Sequence, residues 1–118
     1  MLRSRGLRGA ELRGSAPIFA ALGDATRLQI VARLCQAGPQ SIVRLAVGSG
    51  VTRQAITKHL HVLSDAGLVR GIRSGRERVW ELEPEKLDSA RRCIENISAQ
   101  WDLSLGRLKA FVETDRRS

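Results

Sequence analysis

The sequence is poor in the residues on which many functional sites depend. Its 118 residues include two Trp, two Phe, no Tyr, two Cys and two His. So few aromatic side chains leave few surfaces on which single-stranded bases could stack, which argues against an RNA-binding domain. The two cysteines, Cys35 and Cys93, lie far apart and do not suggest an extracellular disulfide framework. The sequence therefore favours a cytoplasmic protein.

Patterns typical of metal sites, catalytic sites and membrane spans are also missing. Both histidines, His59 and His61, lie in one short segment far from the cysteines, whereas zinc and soft-metal sites need three or four nitrogen or sulfur ligands. We find no nucleophile paired with a base, no Gly-rich phosphate loop between a strand and a helix, and no carboxylate cluster. No apolar run reaches the roughly 18 residues of a membrane span. We therefore expect no metal, no cofactor, no enzyme activity and no membrane partner.

Acidic residues are outnumbered. Lys and Arg together number 20 against 12 Asp and Glu, a formal net charge of +8, which suits nucleic acid or another acidic surface. A chain of this length forms one domain without room for an enzyme cleft and a second lobe. Residues 1–14 contain four Arg and three Gly but lack the apolar stretch of a secretory signal. We predict a disordered basic arm there, either touching DNA phosphates or unconstrained, and one folded domain over residues 15–118.

The segment 51–69, VTRQAITKHLHVLSDAGLV, predicts a capped amphipathic helix. Thr52 is a suitable N-cap, and Gly67 suits a left-handed C-terminal cap. At about 100° per residue, one face is apolar, and the opposite face carries amide, hydroxyl, ammonium and imidazole groups without a carboxylate. The apolar face comprises Ile56, Leu60 and Leu63, and the polar face comprises Gln54, Thr57, Lys58 and His61. Such a polar face suits a polyanion and offers donors to base edges, although an ordinary solvated face is the alternative.

Three shorter helices are predicted before this segment. The first covers residues 17–22, with a Pro at its first position. Asp24 caps the second, over residues 25–37, which a Gly-Pro pair ends. The third covers residues 41–47, and a turn rich in Gly joins it to the capped helix. Two helices joined in this way have the pattern of a helix-turn-helix.

A β-hairpin is predicted after Gly67. The runs 68–72 and 76–82 are of strand type, and a Ser-Gly pair lies at the turn between them. Arginines gather near the tip and flanks of this hairpin: Arg70, Arg73, Arg76 and Arg78. An Arg-rich hairpin after a helix-turn-helix is a wing that reaches phosphates or the minor groove. The alternative is a turn that only aids solubility.

The segment 84–113 contains an apolar heptad repeat over four heptads, interrupted only by Ser104. Its members are Leu87, Ala90, Ile94, Ile97, Trp101, Leu108 and Phe111. A helix of about 30 residues is about 45 Å long, which is more than a small domain needs for its own core. The surplus apolar seam favours a homodimer held by these residues. In the alternative, the helix folds back on its own domain, and both arrangements can hold for different turns.

The order of helices, helix-turn-helix, wing and long C-terminal helix resembles the ArsR/SmtB family of bacterial winged-helix repressors. The segments that carry the resemblance are FAALGDATRLQIVARL at 19–34, TRQAITKHLHVLSDAGLV at 52–69 and the hairpin GIRSGRERVWEL. The resemblance implies a winged helix-turn-helix, mainly α with a small β-hairpin and a long C-terminal dimerisation helix. It also implies a homodimeric repressor that binds an inverted repeat in double-stranded DNA through the helix at residues 52–64 and the wing at residues 70–80.

The resemblance further implies which side chains contact DNA. The recognition-helix positions are Thr52, Arg53, Gln54, Thr57, Lys58 and His59, to which the helical projection adds His61, and the wing supplies Arg73, Arg76 and Arg78. Gln54 is the best candidate for direct readout, because its amide can pair with adenine through two hydrogen bonds. His59 lies beside the apolar face, so we expect it to pack or to contact a phosphate rather than to read a base.

The sequence departs from the metal-sensing members of that family. Many of them carry Cys-x-Cys in the third helix, where this chain has Ser41-Ile42-Val43. Other members sense oxidants through a Cys pair in the second and last helices, the helices of Cys35 and Cys93. Cys35 comes about one turn later than the family's sensor position, and both cysteines sit among apolar residues, where a free buried Cys is common. We predict a repressor that does not respond to metals, with thiol switching, an unknown small-molecule inducer and a protein-binding winged helix as alternatives.

Overall fold

The computed structural model describes residues 8–117 and confirms the mainly α fold with a small β-hairpin. In that range the elements follow the order α1 (Gly9–Leu22), α2 (Ala25–Ala37), β1 (Gln40–Ser41), α3 (Ile42–Ala46), α4 (Arg53–Asp65), β2 (Val69–Ser74), β3 (Glu77–Leu82) and α5 (Pro84–Arg117). The three strands form one antiparallel sheet in the order β1-β3-β2. No helix in this range is both long and apolar enough to cross a membrane.

The central helices begin and end where local side-chain chemistry predicts. Asp24 accepts a hydrogen bond from the backbone N–H of Arg27, and Thr52 accepts one from Ala55, so each satisfies a donor that the first helical turn leaves free. After α4 the chain turns through Gly67, whose φ is +79°. The N–H of Leu68 then donates to the carbonyl of Leu63 at 2.9 Å, the outer bond of a Schellman motif.

The first helix differs from its prediction. It starts at Gly9 rather than Pro17, so the disordered arm predicted over residues 1–14 is wrong for residues 9–14, and residues 1–7 lie outside the described range. No side chain caps its start. The helix instead packs on α5 and buries Ser15, Ile18 and Ala21. This packing outweighs the poor helix propensity of the glycines and of Pro17.

The sheet contains a short strand that the sequence did not predict. In β1, Gln40 lies opposite Trp80 and Ser41 opposite Val79. Within the hairpin, Gly71 lies opposite Trp80, and Arg73 lies opposite Arg78. Directly opposed residues share one face of a sheet, and the face that carries Trp80 packs into the core.

The core lies among α1 to α4, the sheet and the first turns of α5. Its fully buried members are Leu45, Ile56, Leu60, Leu63, Leu68 and Val69. Ala90 is also buried in this core and the partly buried Leu87 packs against it, so these two residues, predicted for the dimer interface, contribute to the protomer's own packing. Residues 101–116 of α5 are all exposed, and they extend the molecule to 72 Å along its longest axis.

Candidate nucleic-acid interface

The helix α4 separates its two faces as the sequence pattern predicts. Its apolar residues Ile56, Leu60 and Leu63 are each 0% exposed. The exposed positions include Arg53, Gln54, Lys58 and His61. The face free of carboxylates ends in the last turn, because Asp65 is exposed there and lies within about 20° of Gln54 at 100° per residue. The first turns of α4 therefore suit DNA best, and these are the turns that reach base edges in helix-turn-helix proteins.

The two threonines of α4's first turns use their hydroxyl groups within the helix. Thr52 caps the helix, as described above, and Thr57 donates to the carbonyl of Arg53 at 2.9 Å. Both oxygens retain further hydrogen-bonding capacity. Because of this capacity and their position near the start of α4, the two hydroxyl groups suit contacts to phosphates or sugars. Such contacts set the register of a protein on the duplex.

A network of hydrogen bonds holds the turn between α3 and α4. The Ser49 hydroxyl donates to the carbonyl of Ala46 at 2.8 Å and accepts from the N–H of Val51 at 3.2 Å. Arg33 of α2 donates from Nη1 to the carbonyls of Arg44 and Leu45, at 3.2 and 2.8 Å. These bonds tie the end of α3 to α2 and so define the angle at which α4 leaves the domain.

His59 points away from the open face of α4. Its side chain is 23% exposed, and its Nδ1 lies 3.3 Å from Nη1 of Arg27 and 3.8 Å from Oδ2 of Asp24. Arg27 also donates from Nε to the carbonyl of Ala21 at 2.6 Å. The backbone hydrogen bond from Arg27 lowers the pKa of Asp24, and the charges of Arg27 and His59 act in the same direction. His59 thus packs against the junction of α1 and α2, and a phosphate contact by it stays a prediction.

The wing carries three exposed arginines with no ion pair among the described residues: Arg73, Arg76 and Arg78. Arg70 differs, because it lies 2.6 Å from Glu81 and 3.6 Å from Glu83. The hydrogen bond to Glu81 raises the pKa of Arg70 above its ordinary value. The cations at the tip of the wing are therefore the ones that remain for a polyanion.

Two arginines of α5, Arg91 and Arg92, form ion pairs, unlike the arginines at the tip of the wing. Arg91 lies 2.6 Å from Asp88 and 2.7 Å from Glu95, and Arg92 lies 2.8 Å from Asp88. The hydrogen bond from Arg91 lowers the pKa of Asp88. Such exposed pairs contribute little stability, but they neutralise the charges of Arg91 and Arg92. Arg91 and Arg92 are thereby less available to a polyanion than the three arginines at the tip of the wing.

Comparison with known proteins agrees with this geometry. A helix-turn-helix domain family matches residues 22–72. The HTH-type transcriptional regulator Rv2034 of Mycobacterium tuberculosis is 42% identical over 95 residues, which cover 80% of this chain and 85% of that protein. An ArsR-like transcriptional regulator from Rhodococcus sp. RHA1 superposes with a TM-score of 0.70 at 39% identity, over 85% of this chain and 93% of that one. This chain belongs to the ArsR family of transcriptional regulators.

Another structural relative of this ArsR family regulator is described as the homodimeric winged helix-turn-helix DNA-binding domain of Mb0332 from Mycobacterium bovis. Its TM-score is 0.60 at 28% identity, over 83% of this chain and 87% of that one. The recognition helix and wing of such a fold correspond here to α4 and the β2–β3 hairpin. The family match thus includes the helix-turn-helix from α2 to α4 and reaches into β2.

The seam on α5 of this regulator is wider than the heptad pattern predicts. Of the predicted interface residues, Ile94, Ile97, Trp101, Leu108 and Phe111 are exposed. Leu105 and Val112 are also exposed and lie within about 40° of Trp101 at 100° per residue. Counting only the a and d positions overlooked these two residues, which a search for a broader apolar stripe would have found.

The two cysteines of this ArsR family chain lie in different environments. Cys35 is exposed and Cys93 is buried, so the expectation that both lie among apolar residues is wrong for Cys35. Cys35 projects from the outer side of α2, whose buried face consists of Ile30, Val31 and Leu34. Between residues 8 and 117, no three His, Cys, Asp or Glu side chains come close enough together to hold a metal ion.

Proposed function

We propose that this ArsR family protein is a homodimeric repressor that binds an inverted-repeat operator through α4 and the wing. The observation that carries the proposal is the open face of α4, with Gln54 and Lys58 near its start, beside three wing arginines that make no ion pair among the described residues. Gln54 supplies base readout, because an amide can form two hydrogen bonds with adenine. The wing arginines and Lys58 supply affinity through phosphates. Bound at a promoter, such a dimer would block access to it.

The dimer is proposed from the exposed apolar seam on α5. Large apolar side chains on one stripe of a helix that projects from its domain need a partner surface. A second copy offers the same stripe, and two-fold pairing is the commonest way to bury it. The homodimeric relative from M. bovis supports this assembly. Two recognition helices in one dimer would enter successive major grooves, about 34–36 Å apart.

We further propose that metals do not control this repressor. The position of the family's third-helix cysteines carries Ser41, Ile42 and Val43, and no three His, Cys, Asp or Glu side chains in the described range come close enough together to hold a metal ion. Operator affinity should therefore be the same with zinc, with arsenite and with a chelator. A change of more than about twofold with any of these would contradict this part of the proposal.

The test of the DNA-binding proposal begins with selection of duplex fragments that the full-length protein retains from a random pool. Affinity for the selected duplex and for a shuffled duplex of equal length is then measured by fluorescence anisotropy at several salt concentrations. We expect an inverted repeat, a clear preference for it, and a steep linear fall of log affinity with log salt. Equal affinity for both duplexes would exclude sequence-specific repression.

A further inference from the structure

Trp80 lies at the place where the wing meets the recognition helix. It is the third residue from the end of β3, on the face of the sheet that packs into the core, and it is only 3% exposed. Two side chains from different elements approach its ring. Arg78 comes from the same strand, and His61 comes from α4.

Arg78 lies over the indole. Its guanidinium carbon is 4.9 Å from the centroid of the Trp80 ring, within the range of a cation–π contact. The place of Arg78 depends on Gly71, which lies opposite Trp80 in β2. A Cβ at Gly71 would lie 2.6 Å from Nε of Arg78, so only a glycine lets the Arg78 side chain cross the strand at this point.

His61 approaches the same indole from the recognition helix. The ring centroids of His61 and Trp80 are 6.3 Å apart and their planes meet at 62°, an edge-to-face arrangement that aromatic rings favour. On the exposed face of α4, His61 lies between Lys58 and Asp65, each about one turn away. A residue of α4 and a residue of the wing thus both contact the Trp80 ring.

We propose that Trp80 is a positioning residue for DNA binding, which holds Arg78 in place for a backbone phosphate between the wing and α4. The proposal rests on the proposed DNA-binding function. Holding a long side chain in its bound position before association removes part of the ordering cost of binding. Arg78 differs in this from Arg73 and Arg76, for which the structure shows no aromatic platform among the described residues.

The experiment is a double-mutant cycle on the affinity of the full-length protein for its selected duplex. Arg78→Ala should lower affinity about fivefold at physiological salt and reduce the salt slope by about one. Trp80→Leu keeps an apolar core residue and the charge of Arg78, yet we expect it to lower affinity two- to fivefold. In the double variant the loss should stay within about twofold of that of Arg78→Ala alone, because the indole acts through Arg78.

Two further variants keep the test decisive if Trp80→Leu folds poorly. Gly71→Ala leaves Trp80 intact, and Gly71 lies outside the left-handed region of φ, so an Ala fits the backbone, and the three atoms nearest to its Cβ all belong to Arg78. We expect the same loss as for Trp80→Leu, and none when Arg78 is already Ala. Trp80→Phe keeps an aromatic face and removes the indole Nε1, which is buried without a hydrogen-bond partner among the described residues. It should keep most of the affinity.

Arg73→Ala is the matched control, because Arg73 lies opposite Arg78 in the hairpin and, like Arg78, is exposed on the wing. In the double variant of Arg73→Ala and Trp80→Leu, the fold loss of affinity should equal the product of the two single losses. A second readout needs no DNA: the ring of Trp80 should shift the side-chain proton resonances of Arg78 upfield in the wild type and in Trp80→Phe, but not in Trp80→Leu or Gly71→Ala.

The possible results separate the inference from the proposed function. If the wild type shows no preference for any duplex, the proposed function fails, and the proton shifts still decide whether the indole holds Arg78. If the wild type binds its duplex but the losses of Trp80→Leu and Arg78→Ala multiply, the positioning role is overturned. Unshifted Arg78 resonances in the wild type would overturn it as well.

Discussion

The Nδ1 atom of His59 lies 3.8 Å from the Oδ2 atom of Asp24, and this contact joins the recognition helix to the start of α2. Asp24 already caps α2 through the N–H of Arg27 at 3.0 Å. One carboxylate therefore serves a helix terminus and a contact with α4. Because its pKa is lowered in the folded protein, the ionised form is the one that the fold favours.

The contribution of the ionised Asp24 carboxylate should be visible in the pH dependence of the unfolding free energy. A lowered pKa means that the contribution of Asp24 is fully present above its ordinary pKa of 3.8 and is lost as the pH falls through the lowered value. Asp24→Asn keeps an equally good N-cap but does not ionise. The difference in unfolding free energy between wild type and Asp24→Asn, measured in urea from pH 7 to pH 3, should therefore shrink at the acidic end. Parallel curves for the two proteins would contradict this.

Gln54 and Lys58 should have separable effects on DNA binding. Gln54→Ala should reduce the free-energy gap between operator and shuffled duplex by about 1–3 kcal/mol, since it removes a bidentate contact to a base. Lys58→Ala, one turn further along the same exposed face, should weaken binding to both duplexes alike and reduce the salt slope by about one. Anisotropy titrations at several salt concentrations measure both quantities. An unchanged gap for Gln54→Ala would remove its role as the base-reading residue.

Two leucines on α5 provide a matched test of the dimer. Leu108 and Leu103 are similarly exposed, at 58% and 56%, but at 100° per residue they lie about 140° apart around the helix, and only Leu108 lies on the seam. Burying a Leu contributes about 1.5–3 kcal/mol, so Leu108→Ser should raise the dimer dissociation constant at least about tenfold. Leu103→Ser is the same chemical change on the same helix, and it should leave the dimer dissociation constant unaltered. Sedimentation equilibrium gives both constants, and equal values would place the interface elsewhere.

The two cysteines should react at different rates with a thiol reagent. Cys35 is exposed and Cys93 is 8% exposed, so alkylation of Cys93 should be slower by at least roughly tenfold, because it needs a local opening of the fold. Mass spectrometry after timed alkylation follows each site. We also expect operator affinity to be unchanged after mild oxidation. A loss of affinity that either Cys35→Ser or Cys93→Ser prevents would instead favour the thiol-switching alternative.

Local chemistry made much of the fold predictable from the sequence. The N-caps Asp24 and Thr52, the terminating Gly67 and the Ser-Gly turn of the hairpin each act on residues only a few positions away. The same holds for the two faces of α4, because helical spacing alone decides which residues share a face. The residues of the candidate DNA surface could therefore be named before their positions in space were known.

The remaining features depend on contacts between distant segments. The helix α1 extends back to Gly9 because α5, some eighty residues later, supplies the surface on which it packs. The strand β1 exists because Trp80 and Val79 pair with it. The partners of His59 and the platform under Arg78 likewise come from other elements. Periodicity predicts which apolar residues share a face of a helix or strand. Only the fold shows which residues of other elements they contact.

In the proposed dimer, the exposed outer half of α5 couples helix formation to the concentration of the protein. A helical segment of this length without a packed face is only marginally stable in water, so in the proposed dimer the partner stabilises the outer turns that it covers. Association and ordering of these turns then form a single equilibrium. At low concentration the chain would lose helix and dimer together, and operator occupancy would rise more steeply than in proportion to the amount of protein. A cell could thus release such a repressor by lowering its concentration alone.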